Sequence, residues 1–89
     1  MLVEKKLTIK NKLGLHARPA ALFVQLANKF DCEIMIKKGK QEVNGKSIMG
    51  ILMLAAGKGS RIFIRAKGSD ARDAVQKLEQ LLLSDLPEE

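Results

Sequence analysis

Residues 3–10 alternate, with Val3, Lys5, Leu7 and Ile9 on one side and Glu4, Lys6, Thr8 and Lys10 on the other, which predicts a half-buried β-strand. The aliphatic stem of Lys5 can lie along the apolar face while its ammonium stays in water. Lys12-Leu13-Gly14 reads as a loop. A helical pattern follows, with Ala20, Phe23, Ala27 and Phe30 on one stripe and Leu22 and Leu26 beside it. Cys32, Ile34 and Ile36 then alternate with Glu33, Met35 and Lys37, giving a second strand. Lys38-Gly39 turns the chain into a short third strand around Gln41 to Val43, and Asn44-Gly45 ends it. Ser47 is suited to cap a short apolar helix through Leu54, which Gly57 and Gly59 close off. Arg61 to Lys67 alternates again, with Ile62, Ile64 and Ala66 inward. Ser69 or Asp70 caps a last helix whose apolar stripe is Ala71, Ala74, Val75, Leu78, Leu81 and Leu82, and Pro87 marks its end.

The element order is therefore β-α-β-β-α-β-α. Each strand has one polar face, so the predicted fold class is α+β, an open-faced β-sandwich: a four-stranded antiparallel sheet with three helices on one face. At 89 residues the chain makes a single domain, and no internal repeat or low-complexity stretch interrupts it. A hydrophobic fraction of 46% is enough for a packed core, while no apolar run is long enough for membrane insertion. The start, Met1 to Lys6, lacks the apolar segment of a secretory signal. Cys32 is the only cysteine and cannot make an internal disulfide. A cytoplasmic location is the expectation.

The charge adds a question about partners. Lys and Arg number 16 against 10 Asp and Glu, a formal net charge of +6, which suits an acidic protein surface or a phosphate backbone. Base stacking would want exposed aromatics, and the chain has no Trp or Tyr and three Phe. Composition therefore leans against nucleic acid.

Candidate chemistry gathers at Gly14-Leu15-His16-Ala17-Arg18-Pro19-Ala20, which holds the single histidine where the loop after the first strand becomes a helix. The first amides of a helix lack intrahelical partners and carry the positive end of its dipole. A phosphoryl group on His16 could accept from the backbone amides of Ala17 and Arg18, and the Arg18 guanidinium adds a permanent charge with fork geometry. Pro19 costs little in a first turn, where its missing N–H would have had no partner. Residues before proline avoid the α region, so either Arg18 is strained or the regular helix begins later than His16 implies. A lone histidine is more often structural than reactive. The neighbouring Gly14, Arg18 and Pro19 favour a nucleophile, kept neutral by the helix end, that forms a phosphoimidazole able to donate onward. One His and one Cys are too few for a metal site, and Gly57-Lys58-Gly59-Ser60 lacks P-loop spacing, so no cofactor is expected.

A second stretch, Asn44-Gly45-Lys46-Ser47, leads into Ile48-Met49-Gly50-Ile51-Leu52-Met53-Leu54, which is apolar all round a very short helix. Taken alone, Ser47 is a helix cap. The apolar run either disappears into a small core or leaves an adaptable Met-bearing patch for a partner, and the sequence leaves both open.

These residues resemble the HPr family, the histidine phosphocarriers of the bacterial phosphoenolpyruvate-dependent phosphotransferase system. The likeness runs nearly end to end; Gly14-Leu15-His16-Ala17-Arg18-Pro19-Ala20 is its specific motif, and Lys46-Ser47-Ile48-Met49-Gly50 looks like the family's regulatory serine motif. The resemblance implies that phosphorylated enzyme I transfers its group to Nδ1 of His16, and that the group then passes to a histidine of an enzyme IIA domain, in sugar uptake and its regulation. It implies that Arg18 stabilises the phosphoryl group, that Ser47 corresponds to the serine that an ATP-dependent HPr serine kinase modifies in some members, and that Ile48, Met49 and Leu52 fall in the patch that docks partners. The protein would be a monomeric carrier, not an independent enzyme.

Some positions depart from the sugar-transport pattern. Many such members have Asn or Ser where this chain has Leu13, so backbone groups must hold the imidazole here. Asn11-Lys12-Leu13-Gly14 and Leu52-Met53-Leu54 look like the nitrogen-related branch, NPr, whereas Lys46-Ser47-Ile48-Met49-Gly50 is typical of kinase-regulated carriers. A purely regulatory, NPr-like carrier is thus the alternative within the family, and a small basic RNA-binding domain is the remote rival outside it.

Overall fold

The computed structural model describes residues 1–10, 14–15 and 17–83. Its elements are β1 (Leu2–Thr8), α1 (Ala17–Ala27), β2 (Glu33–Lys38), β3 (Gln41–Asn44), α2 (Ile48–Leu54), β4 (Arg61–Lys67) and α3 (Ala71–Leu83). The strands form one antiparallel sheet in the order β1-β4-β2-β3, and the helices cover one face, giving the expected open-faced α+β sandwich.

The central strand β4 shows why a period of two suffices. Ile62, Ile64 and Ala66 are fully buried, while Arg61, Phe63, Arg65 and Lys67 are exposed. Its register aligns Val3, Ala66 and Ile34 in one row, and Lys5, Ile64, Ile36 and Val43 in the next. Lys5 occupies an apolar-face position at the sheet edge, where its ammonium stands 3.5 Å from the Glu79 carboxylate of α3. Against these rows pack Ala20, Phe23 and Ala27 of α1, Ile51 and Leu54 of α2, and Ala71, Ala74, Val75, Leu78 and Leu82 of α3. Leu81 is only partly buried. The residues outside the description include Leu13, His16 and Pro87, so the expected loop at Lys12-Leu13 and the stop at Pro87 fall there.

Three expectations shift for tertiary reasons. β1 ends at Thr8, yet Ile9 stays buried: its amide donates to the Ser60 carbonyl and its carbonyl accepts from Gly59, both at 2.8 Å. Cys32 lies just outside β2, because the Asp31 and Cys32 amides donate to the Asp70 carboxylate at 2.8 and 2.9 Å. Asp70 does precede α3, and its carbonyl accepts from Ala74, but its carboxylate serves this distant segment. The amide bonds, first that of Asp31, hold its carboxyl below the usual carboxylate range, while burial first and Asp70 second push the Cys32 thiol up to about 11.

The third concerns the end of α2. It ends at Leu54 as expected, but the residue that closes it is Ala55, not Gly57 or Gly59, and Ala55 takes the left-handed conformation with φ 53° and ψ 43°. Its amide donates to the Leu52 carbonyl at 3.2 Å. A left-handed alanine costs about 1–2 kcal/mol, part of which glycine would return through the greater freedom of its unfolded chain. Because Ala55 is exposed, Ala55→Gly forfeits no core packing. The variant should gain about 0.5–1 kcal/mol, seen as a melting temperature several degrees higher in a thermal scan. An unchanged or lower value would contradict this account of the helix end.

Candidate functional site

His16 lies outside the described residues, but the chain on both sides of it is firmly placed. Upstream, Gly14 is buried with φ 64°, and a Cβ there would lie 2.6 Å from Gly57 Cα. Only glycine permits both this backbone and this approach. Leu15 is 3% exposed, and its amide donates to the Ala56 carbonyl at 2.8 Å. Downstream, α1 begins at Ala17, and its Pro19 and Ala20 are buried against the core. The regular helix therefore does not start late: Arg18 is helical in front of Pro19 and is exposed on the surface.

Electrostatics at this junction favour an anion. No acidic residue stands in the first turn of α1, where the amides that begin the helix carry the positive end of its dipole. Ala17 and Arg18 are its first two residues and supply such amides, and the Arg18 side chain adds a positive charge.

The second motif folds as a capped helix. Ser47 has extended backbone, its carbonyl accepts from Ile51 at 3.0 Å, and its hydroxyl accepts from the Gly50 amide at 3.1 Å. Of the apolar run, Ile51 and Leu54 enter the core. Ile48, Met49 and Leu52 stay exposed, and Met53, at 66%, is more exposed than any of them. Sequence reasoning left Met53 out, although its place four residues after Met49 puts both on one helix face. Core and surface thus divide this helix between them.

The ends of α1 and α2 relate the two motifs. The Asn28 side chain, just past α1, donates to the Lys46 carbonyl at 3.2 Å, and the Lys46 ammonium donates to the Phe30 carbonyl. Ser47 therefore sits near the end of α1, while the other end of α2 leads to Ala56 and the Leu15 bond. Seven helical residues, about 10 Å, separate the serine from that contact. The Ala56 carbonyl and the Gly57 backbone were also missed as site components, since nothing local in residues 55–57 marks them as neighbours of Gly14.

Among the described residues, no group of three or more His, Cys, Asp or Glu side chains could hold a metal ion, and no helix is long and apolar enough to cross a membrane. Two shallow depressions lie on the open face of the sheet, lined by Glu4, Lys37, Phe63 and Arg65 and by Glu33, Met35, Arg65 and Lys67, with Glu42 common to both. They lie on the side of the sheet away from the helices.

The architecture defines a class: an open-faced α+β sandwich that pins a loop-to-helix junction beside an exposed apolar helix face. The chain belongs to the HPr family of phosphocarriers. The family described as PTS HPr component phosphorylation site matches residues 3–84. The HPr-like protein Crh of Halalkalibacterium halodurans is 52% identical over 77 residues, which cover 86% of this chain and 92% of that protein. The phosphocarrier protein HPr of Treponema pallidum is 42% identical over 88 residues, covering 99% of this chain and all of the relative. The crystal structure of HPr from Bacillus anthracis strain Ames superposes with a TM-score of 0.88 at 51% identity, covering 91% of this chain and 96% of that one.

Proposed function

We propose that His16 accepts a phosphoryl group from phosphorylated enzyme I and passes it to a histidine of an enzyme IIA domain. The neutral imidazole attacks phosphorus through Nδ1, the bond between phosphorus and the donor breaks, and a new N–P bond forms. The second transfer reverses these roles, so the carrier emerges unchanged and is no independent enzyme. The observation that carries this reading is the anchoring of both flanks of His16: Leu15 is bonded to Ala56 and α1 begins at Ala17. Such a junction brings a nucleophile pre-positioned to donors for the transferred oxygens, from the Ala17 and Arg18 amides and the Arg18 guanidinium. The carrier acts as a monomer in the cytoplasm, a reducing compartment that suits the free, buried Cys32. Purified enzyme I, phosphoenolpyruvate and a IIA domain test the relay: phosphate should reach the IIA histidine only when this chain is present. Transfer that proceeds equally without it would refute the role.

A purely regulatory carrier is the second reading, favoured by the 52% identity to a protein named HPr-like and by the exposed, capped start of α2. Phosphorylation of that same chain on His16 with no transfer to any IIA domain would select it.

Ser47 is the regulatory site in either reading. A phosphate there adds about −1.5 to −2 charges at a helix start, where free amides and dipole accommodate it. The effect should therefore fall on partners and not on folding. The basic carrier would meet an acidic partner through Ile48, Met49 and Leu52, and a new negative charge beside that patch repels such a surface. Ser47→Asp, which retains a capping oxygen, should keep the wild-type melting temperature yet accept phosphate from enzyme I roughly tenfold more slowly at low salt. Wild-type kinetics in that variant would leave Ser47 as a helix cap alone.

A further inference from the structure

The β2–β3 hairpin reaches over to the last turn of α2. The Lys38 ammonium donates to the carbonyls of Leu54 at 3.4 Å and Ala55 at 2.9 Å, and the Gln41 side-chain amide donates to the Met53 carbonyl at 3.2 Å. The two residues pair across the Gly39-Lys40 turn, in which Gly39 has a positive φ of 60°. Three consecutive carbonyls at the end of α2 are thus held from outside the helix. These are groups that a helix C-terminus leaves without intrahelical donors, and a lysine there also complements the negative end of the dipole.

The consequence lies one residue further along. Ala55 is left-handed, and the next residue, Ala56, gives its carbonyl to the Leu15 amide. The following Gly57 backbone closes against Gly14. A continuous path of hydrogen bonds and backbone therefore runs from Lys38 through Ala55 and Ala56 to Leu15, the residue before His16. Neighbouring anchors exist elsewhere, since Gly59 and Ser60 bond to Ile9, but they fix the strand side of the loop and not the histidine side.

We infer that Lys38 is a positioning residue for the phosphoacceptor loop, seconded by Gln41, although it lies 22 positions from His16 in sequence and outside both motifs. The inference rests on the proposed role of His16. By holding the last turn of α2, Lys38 fixes the Ala56 carbonyl, which fixes Leu15 and with it the starting point of His16. Small errors in nucleophile placement are costly in phosphoryl transfer, where catalysis is mainly positioning and electrostatics.

Two readouts on Lys38→Met test this. The first is independent of phosphate: the Leu15 amide should exchange with solvent about tenfold faster than in the wild type, while core amides of β4 keep their protection. The second is single-turnover acceptance from saturating phospho-enzyme I, which should slow by roughly tenfold, with an unchanged KM for enzyme I and recovery in Lys38→Arg. Unaltered Leu15 exchange, or an unaltered transfer rate, would overturn the positioning role. So would a uniform loss of protection across the sheet, because it would make Lys38 a general stability residue. If the wild-type chain takes no phosphate at all, the proposed function fails instead, and the exchange experiment still decides whether Lys38 holds the loop.

Discussion

Replacing His16 by alanine is expected to abolish phosphoryl acceptance from enzyme I while the protein stays folded. No second imidazole exists in the chain to substitute for it, because the sequence holds a single histidine. The packing next to this position comes from Leu15, Pro19 and Ala20, which are buried and untouched by the change. Removing the nucleophile therefore removes the covalent intermediate itself and not merely a contribution to its rate. Circular dichroism and thermal melting of His16→Ala should match the wild type, and transfer to a IIA domain should fall to background. A folded variant that still relays phosphate would sink the assignment.

Arg18→Ala should cost roughly 10²-fold in the single-turnover rate while changing the affinity for enzyme I little. The charge of a transferring phosphoryl group spreads over three equatorial oxygens, and the enzyme-like part of the work is to stabilise it. Arg18 stands in the first turn of α1, two residues after His16, and that turn holds no acidic residue. Arg18→Lys should recover part of the loss, since it keeps the charge but not the fork. A rate equal to wild type in Arg18→Ala, or a loss confined to KM, would contradict this role.

How much of this was readable in advance divides along physical lines. Alternation in Arg61–Lys67 and the stripes of α1 and α3 are local signals, and burial follows them residue by residue. Element ends were less legible, because long-range bonds decide them. Asp70 resembles an ordinary helix cap in sequence, yet its carboxylate bonds the amides of Asp31 and Cys32, 39 and 38 positions away. α2 ends at Leu54 as its apolar run implied, but the residue that closes it is left-handed Ala55 and not a glycine, with Lys38 and Gln41 bonding its last carbonyls from the hairpin.

The candidate site shows the same division. Gly14, Arg18 and Pro19 mark the loop-to-helix junction within a few residues, so the motif could be read directly. Its supports could not. Ala56 and Gly57 touch Leu15 and Gly14 across some 40 residues of chain, and they act through backbone atoms that leave no trace in residue identity. The exposed apolar face of α2 was half legible: the family resemblance named Ile48, Met49 and Leu52, while Met53 follows from helical spacing once Ile51 and Leu54 are known to face inward.

The central claim is that this chain carries phosphate on His16. Its most direct test incubates the wild-type protein with phosphoenolpyruvate and enzyme I, measures the intact mass, and repeats the measurement after mild acid. The account predicts a gain of one phosphoryl group that acid removes, as an N–P bond requires, and that His16→Ala never acquires. No mass gain, or an acid-stable phosphate that persists in His16→Ala, would contradict it.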